Sequence, residues 1–432
     1  MNLKLLRSSV VSPLEARGLS ISGSKSETNR LLLLQALYPE LSIENASNSD
    51  DSEVMSEVLR VFKDKAETLR EESPSFGGVG EAFDIHHAGT AMRFLTAYFA
   101  IQEGEEVVLT GSSRMKERPI KILVDALRQL GADIEYVEKE GYPPLRIKGK
   151  KITQNKVAIS ANVSSQYISA LLLIAPKLDN GLELTLEGEI TSIPYIKMTL
   201  SLLEEVGVAT SFNGNVIRVN SKFKIQNSNV IVESDWSSAS YWYSIIALSE
   251  IGTQITLSSY KQNSLQGDAV LAEIYKNFGV ETDFINRRIL LRKVKNLKPE
   301  TLNLELNTSP DIAQTIAVTC LGLGIDCELT GLHTLKIKET DRLQALKNEL
   351  EKFGASVTID NESLRLVCSS PPLEGLGEAV SISTYQDHRM AMAFAPLALK
   401  ADLIIEEAEV VSKSYPDFWN DLKQIGFKIQ EI

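Results

Sequence analysis

Apolar residues recur at helical spacing in stretches that end on glycine and run on into alternating, strand-like segments: Leu127–Gly131, Leu202–Gly207, Ile274–Gly279, Leu350–Gly354 and Leu422–Gly426. The successive glycines are 76, 72, 75 and 72 residues apart, a repeat of about 74 residues, longer than the common solenoid periods. Glycine there suits the left-handed residue that closes a helix. A degenerate sixth copy falls at Val58–Phe62, with Lys63 in place of the glycine. Each copy is preceded by a strand and polar turn, at Leu41–Asn45, Val107–Gly111, Leu184–Gly188, Ile255–Ser258, Cys327–Gly331 and Leu403–Glu407. Each unit also opens with a more apolar helix introduced by a capping-type or small residue: Ser26, Thr90, Ser165, Ser238, Asp311 and Asp387. Stretches such as Ala170–Ala175 and Thr315–Cys320 are apolar enough for helices buried inside a lobe.

Six copies of a two-helix, strand-bearing unit predict an α/β chain of six similar modules, divided three and three. The first three occupy residues 19–232. The last three occupy 233–432, joined by 1–18 if the strand-like Leu3–Val10 pairs with the second half, which makes the first lobe an insertion in the second. No Pro/Gly/Ser-rich linker marks the boundaries, so two tight crossings are expected rather than a tether.

Composition narrows the class of function. The 432 residues are 43% apolar and 24% charged, the make-up of an ordinary globular protein with room for two or three cores. The 57 acidic against 45 basic residues give a net charge of −12, which repels nucleic acid. Any anionic ligand must then be captured by a local cluster of cations. Cys320, Cys327 and Cys368 lack metal-ligand spacing and predict buried thiols in a reduced cytoplasm, without a metal site. Met1–Val10 lacks the apolar run of a secretory signal, and no run is long enough to span a membrane.

Candidate chemistry gathers at the helix starts. Leu335–Leu343 reads L-K-I-K-E-T-D-R-L, placing Lys338, Glu339 and Arg342 at the mouth of a helix, where two cations and a carboxylate can bind an anion and move a proton. Taken alone it also reads as a solvated helix start capped by Asp341. Ser24, Lys25, Ser26 and Arg30 lie at the first helix start; Gly89, Thr90 and Arg93 at the second; Ser164, Ser165 and Gln166 at the third; His388 and Arg389 at the sixth. The later turns add Arg118, Ser192, Tyr195 and Lys413. Each has a plain alternative: a capped first turn, a buried turn aromatic at Tyr195, an interior histidine at His388, a helix cap at Asp311. Recurrence at equivalent points of six units favours function, because several helix N-termini aimed at one cleft would bind anions.

Eleven motifs then occur in order along nearly the whole chain. They are S-G-S-K-S-E-T-N-R (Ser22–Arg30), A-G-T-A-M-R (Ala88–Arg93), R-M-K-E-R-P-I (Arg114–Ile120), Y-P-P-L-R (Tyr142–Arg146), S-S-Q (Ser164–Gln166) and P-Y-I (Pro194–Ile196), followed by Q-G-D (Gln266–Asp268), P-D (Pro310–Asp311), K-E-T-D-R (Lys338–Arg342), D-H-R-M-A-M (Asp387–Met392) and K-S-Y-P (Lys413–Pro416). Together they resemble the enolpyruvyl transferase family, in its shikimate-pathway branch, the 5-enolpyruvylshikimate-3-phosphate synthases. The resemblance implies two lobes, each of three βαβαββ units with helices inside and sheets outside, closing on shikimate 3-phosphate before phosphoenolpyruvate binds. It implies enolpyruvyl transfer from phosphoenolpyruvate to the 5-hydroxyl of shikimate 3-phosphate, without metal or organic cofactor, in a cytoplasmic monomer.

Carried over by motif, shikimate 3-phosphate would meet Lys25, Ser26, Arg30, Ser164, Ser165, Gln166, Ser192, Tyr195, Asp311, Thr334 and Lys338. Phosphoenolpyruvate would meet Lys25, His87, Gly89, Thr90, Arg93, Arg118, Gln166, Arg342, Arg389 and Lys413. Asp311 would take the hydroxyl proton, Glu339 and Lys25 would move the methylene proton, Lys338 would stabilise developing charge, and His388 completes the catalytic set. His87, Thr334, Ser22 and Phe94 depart from the residues the family usually carries there. Retention of Gly89 implies sensitivity to glyphosate, which in the family competes with phosphoenolpyruvate. Two rivals stand beside this reading: the cell-wall enolpyruvyl transferase, whose loop cysteine is absent from Gly111–Arg118, and a non-catalytic anion-binding protein, which gives no reason for carboxylates among the cations.

Overall fold

Parallel pairing of two strands across a buried helix, followed by a second helix and an antiparallel hairpin, is the step this chain repeats. The computed structural model describes residues 1–8, 18–71, 81–161, 164–190, 193–297, 299–338, 340–368 and 378–432. They form two units, Gly23–Val232 and a second made of Met1–Ser22 with Glu233–Ile432.

Within Gly23–Val232, strand Glu81–Asp84 leads into helix Gly89–Ala100, and the chain returns as Glu106–Thr110 in parallel with it. Helix Lys121–Leu130 follows, and the hairpin Asp133–Tyr136 and Leu145–Lys148 joins the same sheet antiparallel. The order repeats with Lys156–Ser160, helix Ser165–Ile174, Leu182–Glu187, helix Ile193–Glu205, and the hairpin Thr210–Asn213 and Val216–Val219. The opening module borrows a strand from the far end of the unit, since Ser42–Glu44 pairs in parallel with Asn229–Ile231.

The second unit is built the same way. Thr301–Glu305 and Asp326–Thr330 pair in parallel around helix Ala313–Leu323, and helix Arg342–Glu351 precedes the hairpin Ser356–Ile359 and Leu364–Val367. In an earlier module, Leu19 bridges Leu257 in parallel beside the sheet of Gln254–Ser258, Arg288–Lys293 and Val280–Ile285. In the last module Val380–Ile382 parallels Leu403–Ile405, and strand Leu3–Leu6 lies between Leu403–Ile405 and Lys428–Glu431. The amino-terminal strand thus pairs with the second half of the chain.

The first helices of the modules are largely buried, whereas second helices such as Lys121–Leu130 bury one face. Helix Gly89–Ala100 is buried at every position and Trp236–Leu248 at all but Ser237, as a helix that turns no polar face to water must be. Strands such as Leu182–Glu187 alternate buried and half-buried residues, as expected for a sheet with one face on the core. The α/β class with buried helices and outer sheets is the one the motifs imply.

The five glycines of the repeat all take positive φ, from 73° at Gly279 to 106° at Gly131, and end their helices as expected. The sixth copy does not behave this way. Helix Asp50–Glu71 runs through Lys63, because a lysine there favours continued helix over the left-handed stop. The cap positions also shift. Ser24 rather than Ser26 precedes helix Lys25–Leu37, and Asp235 rather than Ser238 caps Trp236–Leu248 by accepting from Ser238 N.

At the crossing into Gly23–Val232, a Cβ on Gly23 would stand 1.9 Å from the Asn45 carbonyl oxygen and 2.7 Å from Val232 Cγ1. The Asn45 side chain is itself committed, donating to Val232 O at 2.9 Å. Gly23→Ala is therefore expected to cost about 1–3 kcal/mol or more of stability, the usual range for overpacking. Chemical denaturation of the variant checks this; an unchanged midpoint would show that the crossing yields.

Candidate active site

In Gly23–Val232 the site residues stand at helix mouths. Lys25 opens helix Lys25–Leu37, with Nζ 3.9 Å from Asp51 Oδ2 and its side chain 27% exposed. One turn on, Arg30 is buried and spends its three nitrogens on protein: Nε donates to Thr199 Oγ1 at 2.8 Å, Nη2 to Ser169 Oγ at 3.0 Å, and Nη1 to Ser26 O at 2.6 Å. Its guanidinium lies over the rings of Phe94 and Tyr195, 5.5 and 6.0 Å from their centroids. Burial lowers its pKa to about 10, which leaves it charged at neutrality. Arg30 is thereby a cation fixed between three helices.

Helix Gly89–Ala100 begins without a side-chain cap bond. Arg93 reaches back to it, donating through Nη1 to Gly89 O at 2.9 Å and through Nη2 to Pro119 O at 3.3 Å. Burial, and secondarily the charge of Arg118, bring Arg93 down to about 10. The Arg118 guanidinium lies directly over Gly89, where an added Cβ would meet Nη1 at 2.4 Å. Two guanidiniums are thus held side by side, an arrangement that an arriving anion relieves. Gln166 Nε2 donates to Thr90 Oγ1 at 3.0 Å, linking this helix mouth to the next, where Ser164 Oγ accepts from Gln166 N at 3.4 Å and Ser165 is buried. His87 is 47% exposed, with Nε2 3.7 Å from Asp50 Oδ2. Ser192 lies outside the described residues.

In the other unit one carboxylate gathers the cations. Asp311, in the turn Pro310–Ile312, has Arg342 Nη1 at 2.9 Å, Arg389 Nη2 at 3.4 Å and Lys338 Nζ at 3.6 Å. Three cations gathered around one carboxylate make a place where an anion and a proton acceptor could stand side by side. Asp311 does not cap the following helix, whose N-cap position is Ile312. Arg342 is not a solvated charge either: its side chain is 2% exposed, and Nε donates to Asp387 Oδ2 at 2.5 Å. Asp341 does cap helix Arg342–Glu351, accepting from Leu343 N and Gln344 N at 3.1 Å each.

Asp387 is the hub of this half. Besides holding Arg342 it caps helix His388–Phe394, accepting from Arg389 N at 2.9 Å. His388 is buried, with Nδ1 3.9 Å from Asp387 Oδ1. Tyr385 and Gln386 both take positive φ just before it, a strained approach that leaves the Gln386 carbonyl to accept from Lys413 Nζ at 2.7 Å. Thr334 is half-buried in the turn His333–Ile337, and its Oγ1 has no hydrogen-bond partner among the described residues. Glu339 lies outside the described residues.

Sequence reasoning missed Asp387 as the partner of Arg342, Asp51 as that of Lys25, and Ser237 and Asp268, which join the Arg389 network. A signal existed for two of them, since Asp387 and Asp268 stand inside quoted motifs.

The family model for EPSP synthase (3-phosphoshikimate 1-carboxyvinyltransferase) matches residues 11–422. A 3-phosphoshikimate 1-carboxyvinyltransferase of Bacteroides fragilis strain YCH46 is 44% identical over 420 residues, covering 95% of this chain and 96% of its own. The Haemophilus influenzae protein of the same description, from strain KW20, is 36% identical over 430 residues, at 95% and 96% coverage. Among solved structures, an EPSP synthase of Acinetobacter baumannii superposes with a TM-score of 0.75 over 99% of both chains at 20% identity. The enolpyruvyl transferase NikO of Streptomyces tendae gives 0.67 at 14% identity, covering 99% of this chain and 98% of that one. At those identities the two structures speak for the fold.

Proposed function

This chain belongs to the EPSP synthase family and is an enolpyruvyl transferase of the shikimate pathway, and from that premise we propose how its residues divide the reaction. The substrates are shikimate 3-phosphate and phosphoenolpyruvate. Lys25, Ser26, Ser164, Ser165, Gln166, Ser192, Tyr195, Thr334 and Lys338 bind the first. Lys25, His87, Gly89, Thr90, Arg118, Gln166, Arg342, Arg389 and Lys413 bind the second. Arg30 joins the first set and Arg93 the second, both from buried positions, and the buried His388 completes the catalytic set.

The observation that carries this reading is Asp311, set among Arg342, Arg389 and Lys338. Arginines give planar, bidentate recognition of carboxylate and phosphate. A carboxylate in their midst weakens anion capture and so needs a chemical reason. Asp311 supplies it by taking the 5-hydroxyl proton as that oxygen bonds to C2 of phosphoenolpyruvate. Glu339 and Lys25 deliver a proton to the methylene carbon, giving the tetrahedral intermediate, whose negative charges Lys338 and the arginines balance. Loss of phosphate, with return of a proton from the new methyl group, restores the double bond in the product. The enzyme works as a cytoplasmic monomer on small molecules. Among the described residues no helix is long and apolar enough to cross a membrane.

Phosphate release in the presence of phosphoenolpyruvate tests the assignment, measured with shikimate 3-phosphate, with a UDP-sugar, and with neither. Release is expected only in the first case; release without shikimate 3-phosphate overturns the reading. A second expectation concerns Gly89. Gly89→Ala drives its methyl into Arg118 and displaces a charge-assisted hydrogen-bond donor worth about 1.5–3 kcal/mol, so KM for phosphoenolpyruvate should rise roughly ten- to a hundredfold. KM for shikimate 3-phosphate should move far less. Competition by glyphosate against phosphoenolpyruvate, expected in the unaltered enzyme, should weaken in parallel.

A further inference from the structure

Asp268 lies in the short helical turn Gly267–Val270, is buried, and has no part in the transfer just described. The strap that carries it is fixed, because Gln266 accepts from Trp236 N at 2.9 Å and donates to Ser234 O at 3.0 Å. Ser237 donates its hydroxyl to Asp268 Oδ2. Arg389 Nη2 donates to the same hydroxyl oxygen at 3.3 Å while lying 3.4 Å from Asp311 Oδ2. One guanidinium is therefore shared between the proton-accepting carboxylate and a second, buried one.

Resting on the assignment of Arg389 to phosphoenolpyruvate, we propose that Asp268 is a positioning residue acting through Ser237: it fixes the Arg389 guanidinium and takes up a proton when the substrate anion arrives there. The charged groups that face it are Asp311 from the turn Pro310–Ile312, Arg389 from helix His388–Phe394, and Asp235 at the cap of Trp236–Leu248. Burial pushes the Asp268 carboxyl up to about 7, the Asp311 charge adds to that, and Arg389 and the Ser237 hydrogen bond oppose it. A carboxyl poised near neutrality changes protonation with a small change in its surroundings. An anion beside Arg389 supplies that change, because it offsets the Arg389 charge that favours ionised Asp268. In the protonated form Asp268 keeps its link to Ser237 and no longer repels the ligand.

The test compares KM for phosphoenolpyruvate in the unaltered enzyme and in Asp268→Asn between pH 6 and 8.5, with shikimate 3-phosphate saturating. Taking the ratio of the two removes the ionisation of phosphoenolpyruvate itself. The amide copies the protonated carboxyl, so the ratio of unaltered to variant KM should be near one at pH 6. It should rise to roughly tenfold at pH 8.5, where the unaltered enzyme has to bind a proton that the variant does not need. A ratio independent of pH, or a variant weaker throughout, overturns the proposal. Ser237→Ala guards against a variant that fails to fold: cutting the link should raise KM severalfold, and an unchanged KM also overturns it. Failure of the unaltered enzyme to release phosphate with shikimate 3-phosphate would instead sink the functional assignment, so the two failures are distinguishable.

Discussion

Asp311→Asn is expected to lower kcat by about two to four orders of magnitude, the usual cost of losing a placed general base. The direction of the change in KM makes the prediction specific. The carboxylate lies 2.9 Å from Arg342, 3.4 Å from Arg389 and 3.6 Å from Lys338, so it competes with a substrate anion for those cations. With an amide in its place, KM for phosphoenolpyruvate should hold steady or fall while turnover collapses. Loss confined to transition-state stabilisation shows that pattern. Steady-state kinetics with each substrate varied in turn would read it. A variant with normal kcat removes Asp311 from the chemistry, and one with raised KM and intact kcat makes it a binding residue.

Asp387→Ala should produce the largest loss of stability. Arg342 is 2% exposed, Asp387 is fully buried, and they meet at 2.5 Å through Nε and Oδ2. Removing Asp387 strips the buried guanidinium of one of its two carboxylates and leaves it to Asp311 at 2.9 Å, at a cost approaching that of a broken buried pair, about 3–5 kcal/mol. The same substitution removes the cap on Arg389 N, worth about 1 kcal/mol more. Urea unfolding should show the shift in the transition of Met1–Ser22 with Glu233–Ile432, leaving that of Gly23–Val232 unchanged. Replacing both partners by apolar residues should recover much of the stability and none of the activity. A loss under about 1 kcal/mol would mean that Arg342 finds other compensation.

The repeat was legible because its signal is local. A glycine that ends a helix must take positive φ whatever surrounds it, and Gly131, Gly207, Gly279, Gly354 and Gly426 all do. Lys63 shows the limit: the helix there reaches Glu71, a length that a missing stop signal leaves open. The site cations were legible through their motifs, whereas what restrains them was not. Arg342 and Asp387 are 45 positions apart in sequence, and no spacing rule connects them before the modules fold. Arg30 shows the same gap from the other side. Its motif marks it as a ligand contact, and what the motif leaves unsaid is that the Thr199 and Ser169 hydroxyls hold its guanidinium. The strand Leu3–Leu6 could be recognised as a strand, but its partners could only be named conditionally, since register across the whole chain leaves no local mark.

That strand also sets the order in which the two units can be completed during synthesis. Every residue of Gly23–Val232 has been made before the second crossing begins, so this unit can finish folding while the ribosome is still at work. Leu3, by contrast, pairs with Ile405 and Glu431 and has to stay unpaired until those residues, some four hundred positions later, have been made. An apolar strand left open that long is a target for association with neighbouring chains. The period between the appearance of Leu3 and that of Ile405 is therefore when a nascent chain of this protein most needs the protection of a chaperone.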